Sequence, residues 1–175
     1  MVSRGCPQGD VLSPLLWCLL VDELLARLNG GGVYTQGYVD DICLLAVGKY
    51  PDTVPGLIQW ALHTAEMWCD ELGLRVNPNK NGLVAFTSGR KLPGFFEPRL
   101  FGTTLHHSTS VKYLGVILDS QLTWREHVDV KARKAHNLLW VSRKAYGVKW
   151  GLRPRVVHWL YVSIIRPSIT FASLA

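Results

Sequence analysis

The stretch Gly37-Tyr38-Val39-Asp40-Asp41-Ile42-Cys43-Leu44-Leu45-Ala46-Val47 places two adjacent carboxylates between two apolar runs. This pattern predicts a β-hairpin with the acids at its tip. Tight hairpin turns usually contain glycine, because glycine tolerates a positive φ. The Asp40-Asp41 pair has no glycine and adds repulsion between like charges, so we expect a ligand outside the turn to require both carboxylates. A divalent metal ion is the simplest such ligand.

A second informative segment precedes the hairpin. Arg4-Gly5-Cys6-Pro7-Gln8-Gly9-Asp10-Val11-Leu12-Ser13-Pro14 combines a tight polar turn with the start of a helix. Gly5 and Gly9 allow the backbone to come close to a ligand, and the side-chain amide of Gln8 can donate and accept hydrogen bonds. The segment therefore predicts a binding loop. The alternative is a plain loop followed by a helix that Ser13 caps.

The rest of the chain predicts helices and short strands. Helices are expected over residues 14–28, 53–72 (ending at Gly73), 124–146 and 154–165, the last stopped or kinked by Arg166-Pro167. Short strands are expected at 74–76 and 83–87, and a further hairpin from 99–105 and 111–118. The first helix is apolar nearly all round, which predicts burial on more than one face. The tryptophans of the second helix are expected in the core. This order predicts an α+β fold, an antiparallel sheet with helices on one face.

Composition sets the broad class of the protein. A chain of 175 residues that is 48% apolar has enough core for one domain with a helical extension, and this excludes disorder. Its four cysteines lie far apart without CxxC spacing, which favours free thiols in a reducing compartment. No apolar stretch is long enough for a membrane span and no signal peptide is present, so we expect no membrane partner and a nuclear or cytoplasmic location.

The charge distribution is uneven. Residues 1–119 hold 9 Lys/Arg and 11 Asp/Glu, whereas residues 120–175 hold 10 Lys/Arg and 2 Asp/Glu, a net charge of +8. Aromatic residues are interleaved with the cations of this second part. Such a patch is typical of binding to a phosphate backbone, with an affinity that falls as salt rises. The alternative is a solvated helix surface that keeps the protein soluble.

Four blocks, in this order, resemble a reverse transcriptase. They are the Arg4–Pro14 segment, Tyr38-Val39-Asp40-Asp41, Asn77-Pro78-Asn79-Lys80 and Val111-Lys112-Tyr113-Leu114-Gly115-Val116. More narrowly, the chain resembles the polymerase of a non-LTR (type-1, Jockey-like) retrotransposon, over nearly its whole length. The resemblance implies the later part of a right-hand polymerase palm over residues 1–119. It implies a basic, α-helical, thumb-like region over residues 120–175.

The resemblance also implies catalytic residues. Asp40 would be the stronger and Asp41 the weaker metal ligand in a nucleotidyl transfer that uses two Mg²⁺ ions, with Mn²⁺ as an alternative. Lys80 would approach the triphosphate and act as general acid toward pyrophosphate. The family usually continues this loop with Lys-Thr-Glu or Lys-Ser-Glu, whereas this chain has Asn81-Gly82. A solvated loop lysine is therefore the alternative for Lys80.

Binding residues follow from the same resemblance. Contacts to the nucleotide or template are implied for Arg4, Pro7, Gln8, Gly9 and Tyr38. A primer grip is implied for Lys112, Tyr113, Leu114 and Gly115, with an edge strand carrying a glycine bulge as the alternative. Asp10, Asp22 and Asp119 are not expected to be catalytic, and His106-His107 is interpreted as a polar loop.

The implied activity is that of an RNA-directed DNA polymerase, which extends a DNA primer on an RNA template from deoxynucleoside triphosphates. In this family a further catalytic aspartate lies upstream of the Arg4–Pro14 block, where this chain has only Met1-Val2-Ser3. We therefore expect a fragment of a polyprotein whose fingers, upstream palm and endonuclease domain lie elsewhere, and an isolated chain that is inactive. The alternative is a decayed, non-catalytic fragment that binds nucleic acid through its basic C-terminal region.

Overall fold

The computed structural model describes residues 10–50, 52–87, 96–144 and 151–172. The helices are α1 (Ser13–Gly30), α2 (Thr53–Leu72), α3 (Arg125–Lys144), α4 (Pro154–Leu160) and α5 (Arg166–Thr170), with a 3₁₀ turn at Pro78–Lys80 and a π-helical turn at Tyr161–Ile165. The strands are β1 (Tyr34–Tyr38), β2 (Asp41–Leu45), β3 (Arg99–Leu100), β4 (Thr103–Thr104), β5 (Ser110–Tyr113) and β6 (Val116–Asp119). The predicted α+β class is confirmed, with the described strands arranged as three antiparallel pairs, β1–β2, β3–β4 and β5–β6.

The chain divides into two compact units, which are described separately. Unit 1 comprises the described parts of Met1–Leu83 and Thr87–Ser108, and unit 2 comprises those of Val84–Phe86 and Thr109–Ala175. This boundary precedes the β5–β6 hairpin, whereas the predicted domain boundary follows residue 119. The assignment of residues 1–119 to a palm and of 120–175 to a thumb stays a prediction.

Helix α1 packs through one face only. Val21, Leu24 and Leu28 are buried in the main core of unit 1 together with Val33 and Ala61. The expectation of burial on more than one face is wrong, because no described part of unit 1 covers three of the four leucines in the N-terminal half of α1. Their side chains are 58%, 51% and 64% exposed at Leu15, Leu16 and Leu19.

The start of α1 differs from the prediction by one residue. Ser13 is the first helical residue, and the N-cap position is Leu12, whose φ of −85° and ψ of −18° are already helical. The carbonyl of Leu12 accepts a hydrogen bond from the N–H of Leu16 at 3.0 Å. The predicted capping by Ser13 is therefore wrong, whereas Pro14 does occupy the first turn, where its missing N–H costs nothing.

Helix α2 has the predicted bounds and the predicted end. Gly73 adopts a left-handed conformation with a φ of 67°, as glycine does at many helix C-termini. Trp68 is buried, as expected of a core residue, but Trp60 is 41% exposed, so its predicted place in the core is wrong. The ring of Trp60 lies directly on Gly31, where a Cβ atom would overlap it.

The strands after α2 differ most from the prediction. Residues 74–76 and 84–87 are not strands, and Leu83 forms only an isolated parallel bridge with His107. Propensity for β structure is a weak guide for such short segments, because strand formation depends on the pairing that the tertiary structure provides.

The expected hairpin between residues 99–105 and 111–118 is also replaced. Each segment folds back on itself, as β3–β4 and β5–β6. The two-residue loops Phe101-Gly102 and Leu114-Gly115 both have positive φ at both positions, 47° and 74° in the first and 47° and 82° in the second. This is the backbone that a two-residue type I′ hairpin turn requires, and glycine at the second position favours it.

Unit 2 is built from the β5–β6 hairpin and the C-terminal helices. Helix α3 packs against β6 and α5. It agrees with the prediction as far as Lys144, and residues 145–150 lie outside the described part of the chain. Arg166-Pro167 does not end the last helix, which continues as α5 after the π-helical turn. The wider turn gives the proline ring room against the preceding carbonyl groups. None of the described helices is long and apolar enough to cross a membrane.

Asp119 joins β6 to α3. Its carboxylate accepts hydrogen bonds from the backbone N–H groups of Gln121 at 3.1 Å, Thr123 at 3.0 Å and Trp124 at 2.9 Å. These N–H groups, that of Thr123 foremost, lower the pKa of Asp119 below its ordinary value. Asp119 therefore holds the turn that leads into α3, a structural role that agrees with its exclusion from the catalytic residues.

Leu24→Ala should lower the free energy of unfolding by about 2–5 kcal/mol, because it leaves a cavity at a side chain that is 1% exposed. Leu19→Ala on the same helix removes the same atoms from a position that is 64% exposed, and should change stability by less than about 0.5 kcal/mol. Urea denaturation followed by circular dichroism measures both. Equal losses in the two variants would contradict the one-sided packing of α1.

Asp119→Ala should lower the urea midpoint near neutral pH, and the difference from the parent chain should shrink below about pH 4. The sign follows from the lowered pKa: the charged carboxylate stabilises the fold above the unfolded-state pKa, and this stabilisation is lost as pH falls through the folded-state pKa. Asp129→Ala, at an exposed position of α3, is the control, because it makes the same charge change without removing these hydrogen bonds. A midpoint difference that is constant from neutral to acidic pH would contradict the role of Asp119.

Candidate functional site

The β1–β2 hairpin places both acids at its tip, as predicted. Tyr38 pairs with Asp41, and the loop between the strands consists of Val39 and Asp40. Asp40 therefore lies in the loop and Asp41 is the first residue of β2, and both are exposed to solvent. The tip presents two adjacent carboxylates on a short, hydrogen-bonded ribbon.

The loop has a strained backbone. Val39 has a φ of 55°, in the left-handed region, where a β-branched residue is a genuine outlier. Such a conformation costs about 1–3 kcal/mol and persists only where surrounding contacts impose it. One contact is evident: the indole Nε1–H of Trp17 on α1 donates a hydrogen bond to the carbonyl of Val39 at 2.6 Å. Helix α1 thus holds the residue immediately before Asp40.

A second contact fixes the other end of β1. The side-chain oxygen of Asn29, near the C-terminus of α1, accepts a hydrogen bond from the backbone N–H of Thr35 at 2.9 Å. The hydroxyl of the buried Thr35 donates to the carbonyl of Val33 at 3.1 Å. The hairpin is therefore attached to α1 both near its base and at its tip.

The two faces of the hairpin differ. Thr35 is buried on the face that lies toward α1, while Tyr34 and Tyr38 on the opposite face are 64% and 60% exposed. Because cross-strand partners share a face, Tyr38 and Asp41 lie together on this open side. Tyr38 is thus placed beside one of the two acids and is accessible to a ligand.

The two carboxylates have no counter-charge within the described residues. Neither Asp40 nor Asp41 forms a salt bridge or a side-chain hydrogen bond there. Carboxylate oxygens are the ligands that Mg²⁺ prefers, so the donor set fits a divalent cation. In the same part of the chain, no group of three or more His, Cys, Asp and Glu side chains could hold a metal ion. The hairpin tip therefore offers two ligands and needs others to complete a site.

Lys80 lies in the 3₁₀ turn of unit 1 and is exposed. Its backbone N–H donates to the carbonyl of Asn77 at 3.2 Å, and the side-chain amide of Asn81 donates to the same carbonyl at 3.1 Å. Asn81, the residue that departs from the family pattern, therefore helps to close this turn. The role of Lys80 toward a triphosphate stays a prediction.

The four residues of the predicted primer grip form one turn in unit 2. Lys112 and Tyr113 end β5, and Leu114-Gly115 is the loop of the β5–β6 hairpin. Gly115 is in the turn itself, not in a bulge, and the ring of Phe171 lies against it. The structure brings these four residues together. Their contact with a primer stays a prediction, and Arg4, Pro7, Gln8 and Gly9 lie outside the described residues.

His106 and His107 belong to a polar loop, as interpreted from the sequence. His106 Nδ1 lies 2.9 Å from one carboxylate oxygen of Glu97, and the backbone N–H of His107 donates to the other at 3.3 Å. The N–H of His107, followed by the side chain of His106, lowers the pKa of Glu97. His106 and His107 therefore share a single carboxylate, that of Glu97, as their hydrogen-bond partner in this loop.

Sequence reasoning did not identify Trp17 or Asn29 as residues that position the site. Trp17 lies in the apolar run of α1, where a tryptophan is usually a core residue, and nothing in its spacing from Val39 indicates a hydrogen bond. Asn29 directly follows the predicted helix over residues 14–28, and nothing in its position indicates a hydrogen bond to Thr35. The glycine-free turn was the one available signal, since a non-glycine residue at positive φ requires an external contact.

Comparison with known proteins agrees with the sequence motifs. The family model described as reverse transcriptase (RNA-dependent DNA polymerase) matches residues 1–118, which include the hairpin tip and the Lys80 turn. No solved structure matches the chain significantly.

Several retrotransposon proteins of insects are similar to the chain. The RNA-directed DNA polymerase from mobile element jockey of Drosophila funebris is 32% identical over 73% of this chain and 14% of its own length. The Pol polyprotein from type-1 retrotransposable element R1 of Bradysia coprophila is 25% identical over 98% of this chain. The Pol polyprotein from element R1 2 of Nasonia vitripennis is 24% identical over 98% of this chain. The match covers 17% and 43% of those proteins, so the chain spans less than half the length of these relatives. The chain belongs to the reverse transcriptase family, and its relatives include the RNA-directed DNA polymerases of non-LTR retrotransposons.

Proposed function

We propose that this chain supplies part of the active site of a retrotransposon RNA-directed DNA polymerase, with the tip of the β1–β2 hairpin as its metal-binding element. The observation that carries the proposal is the pair Asp40 and Asp41, exposed and without a counter-charge, on a strained turn that Trp17 holds in place. Strain concentrated at a ligand-binding turn is typical of a preorganised site.

Asp40 and Asp41 would hold the divalent ions, for which Mg²⁺ is the proposed cofactor and Mn²⁺ the alternative. Bound Mg²⁺ would supply charge neutralisation at the phosphates and a more acidic hydroxyl nucleophile. The contribution of the protein is to keep the two carboxylates in one arrangement before the ions arrive. The hydrogen bond from Trp17 to Val39 and the pairing of Tyr38 with Asp41 serve this purpose.

The remaining roles follow the family pattern, one unit at a time. In unit 1, Tyr38 would approach the primer–template from the open face of the hairpin, and Lys80 would approach the triphosphate. In unit 2, the turn from Lys112 to Gly115 would hold the primer strand. The proposed partners are an RNA template, a DNA primer and deoxynucleoside triphosphates.

The described residues supply two acids, and the proposed chemistry needs a further metal ligand. We infer that this ligand comes from another segment of polypeptide, as it does in the family. The 175-residue chain by itself should therefore show no Mg²⁺-dependent primer extension on an RNA template. Extension by this chain alone would contradict the inference of an incomplete site.

The metal site can be tested without polymerase activity. Tb³⁺ bound at the tip should be sensitised by Tyr38 and Trp17, giving luminescence that saturates with an affinity of about 10⁻⁴–10⁻³ M and that Mg²⁺ or Mn²⁺ competes away. The double variant Asp40→Asn, Asp41→Asn should lose this signal, because it removes both charges and keeps the side-chain shape. Asp22→Asn, at an exposed position of α1, is a control variant and should keep the signal. A signal that survives the double change would place the bound ion elsewhere.

The polymerase function is tested in a complete enzyme, by exchanging this chain for the matching segment of the jockey polymerase. Asp40→Asn in that chimaera should slow primer extension about 100-fold or more, the scale on which the loss of one electrostatic group slows catalysis. Asp22→Asn should leave the rate within about twofold. If Asp40→Asn retains the parental rate while nucleic acid still binds, the alternative of a non-catalytic nucleic-acid-binding fragment is favoured.

Trp17→Phe should lower the free energy of unfolding by about 0.5–1.5 kcal/mol and weaken Tb³⁺ binding, because it keeps an apolar ring and removes the donor to Val39. Val39→Gly should make the turn less dependent on this hydrogen bond, since glycine adopts a positive φ without strain. In the double variant, Trp17→Phe should therefore cost less than it does alone. Additive effects in this cycle would contradict the proposed support of Val39 by Trp17.

A further inference from the structure

His127 lies in the first turn of α3 and is buried, with 5% of its surface exposed. Both of its ring nitrogens face hydrogen-bonding groups on other elements of unit 2. Nδ1 lies 3.1 Å from the backbone nitrogen of Ile117 on β6, and Nε2 lies 3.4 Å from the carbonyl oxygen of Phe171, which follows α5. One side chain of α3 therefore joins a strand to the C-terminal segment.

The contact with β6 fixes the tautomer of His127. A backbone N–H group can only donate, so Nδ1 accepts the hydrogen bond from Ile117 and carries no proton. In a neutral imidazole the proton then lies on Nε2, which donates it to the carbonyl of Phe171. The two contacts together therefore select the Nε2–H tautomer.

His127 occupies the place of a third strand beside β6. Ile117 pairs with Lys112 of β5, but its N–H group points away from β5, because it donates to α3. In an antiparallel ribbon such outward N–H groups alternate with those that bond to the partner strand. An N–H group that is withdrawn from water needs an acceptor. Nδ1 of His127 supplies this acceptor at the outer edge of the hairpin.

The second contact of His127 acts on the turn of the hairpin. Phe171, whose carbonyl faces Nε2, places its ring against Gly115 in the Leu114-Gly115 loop. The ammonium group of Lys131 lies 3.9 Å from the centre of the same ring, in a cation–π contact. His127 thus holds β6 two residues after the loop, and it also holds the residue whose ring covers the loop.

The imidazole ring of His127 is itself oriented by the turn before α3. The ring of Trp124 meets it edge-on, with ring centres 6.5 Å apart and an interplanar angle of 83°. Trp124 has a φ of 62°, and its backbone N–H donates to the carboxylate of Asp119 at 2.9 Å. The residue that ends β6 therefore holds the indole that packs on His127.

We propose that His127 is a positioning residue which, as the Nε2–H tautomer, fixes the β5–β6 turn through Ile117 and Phe171. The proposal deepens the proposed function and rests on it for the statement that this turn holds the primer strand. It adds that the turn has the correct position for the primer only while His127 makes both contacts. An apolar side chain of similar size would fill the same space, but it would leave the N–H of Ile117 without this acceptor.

The two hydrogen bonds can be tested in the full 175-residue chain without a substrate. NMR spectra that correlate the ring protons of His127 with its ring nitrogens, recorded at about pH 8, should show Nδ1 without a proton. His127→Phe keeps a planar ring and removes both nitrogens, so it should accelerate hydrogen exchange at the Ile117 amide about tenfold or more. A proton on Nδ1, or equal exchange rates at Ile117 in the parent chain and in this variant, would overturn the proposal.

Two further variants keep this test independent of a general folding defect. The side-chain oxygen of asparagine can take the place of Nδ1, so His127→Asn should retain most of the protection at Ile117. His158→Phe, at an exposed position of α4, makes the same chemical change elsewhere in unit 2 and should leave exchange at Ile117 unchanged. Loss of protection in His158→Phe equal to that in His127→Phe would contradict a specific role of His127.

The consequence for the primer is measured in the chimaera with the jockey polymerase. His127→Phe should raise the KM for primer–template about tenfold and leave the KM for deoxynucleoside triphosphates within about twofold, because a displaced turn weakens contact with one substrate only. His127→Asn should raise the KM for primer–template by less than about threefold. A purely structural role would lower kcat with the fraction of folded enzyme and leave both KM values unchanged, and this result would overturn the proposal.

Failure of this proposal and failure of the polymerase proposal give different results. If Asp40→Asn keeps the parental rate, the polymerase proposal fails, whereas the tautomer and the exchange at Ile117 still test the contacts of His127. If Asp40→Asn slows extension and His127→Phe leaves the KM for primer–template unchanged, the positioning role fails and the polymerase proposal stands.

Discussion

Unit 1 depends on the attachment of one β-strand to one helix at two points. Asn29 holds the start of β1 through the N–H of Thr35, and Trp17 holds its end through the carbonyl of Val39. Trp17 and Asn29 are separated by about 18 Å of helix, and Thr35 and Val39 by about 13 Å of strand, so the long indole side chain can span the remainder. The strand runs back along the helix that precedes it. Leu24, which lies between Trp17 and Asn29 on this helix, is buried in the core. Because β2 is hydrogen-bonded to β1 alone among the described strands, the position of the acid pair follows from this attachment.

Some of the unfavourable features of the molecule lie where ligands are proposed. Val39 has a backbone conformation that a β-branched residue avoids, and Asp40 and Asp41 place like charges on adjacent residues. A fold optimised for stability alone would relieve such repulsion with partners of opposite charge. Its persistence is understandable if the missing charges belong to bound metal ions, which stabilise the folded state when they bind.

The differences between prediction and structure have physical causes. Short segments with β propensity become strands only when another edge lies beside them, which the sequence around residues 74–87 does not reveal. The pairing of residues 99–105 and 111–118 could have been predicted correctly, because Phe101-Gly102 and Leu114-Gly115 are both suitable two-residue hairpin loops. The exposure of the leucines in the N-terminal half of α1 could not have been predicted, since an apolar helix face has the same sequence pattern whether or not another element covers it.

The sequence by itself determined the local elements that carry chemistry: the hairpin with Asp40 and Asp41 at its tip, helix α2 with its end at Gly73, and the ordered motifs of the reverse transcriptase family. These follow from residue spacing and turn chemistry, which act over a few residues. Tertiary structure alone decided that Trp17 supports the strained turn and that the ammonium group of Lys131 lies over the ring of Phe171. Such contacts join residues that are tens of positions apart. Their formation depends on how the helices and hairpins pack, which no local pattern specifies.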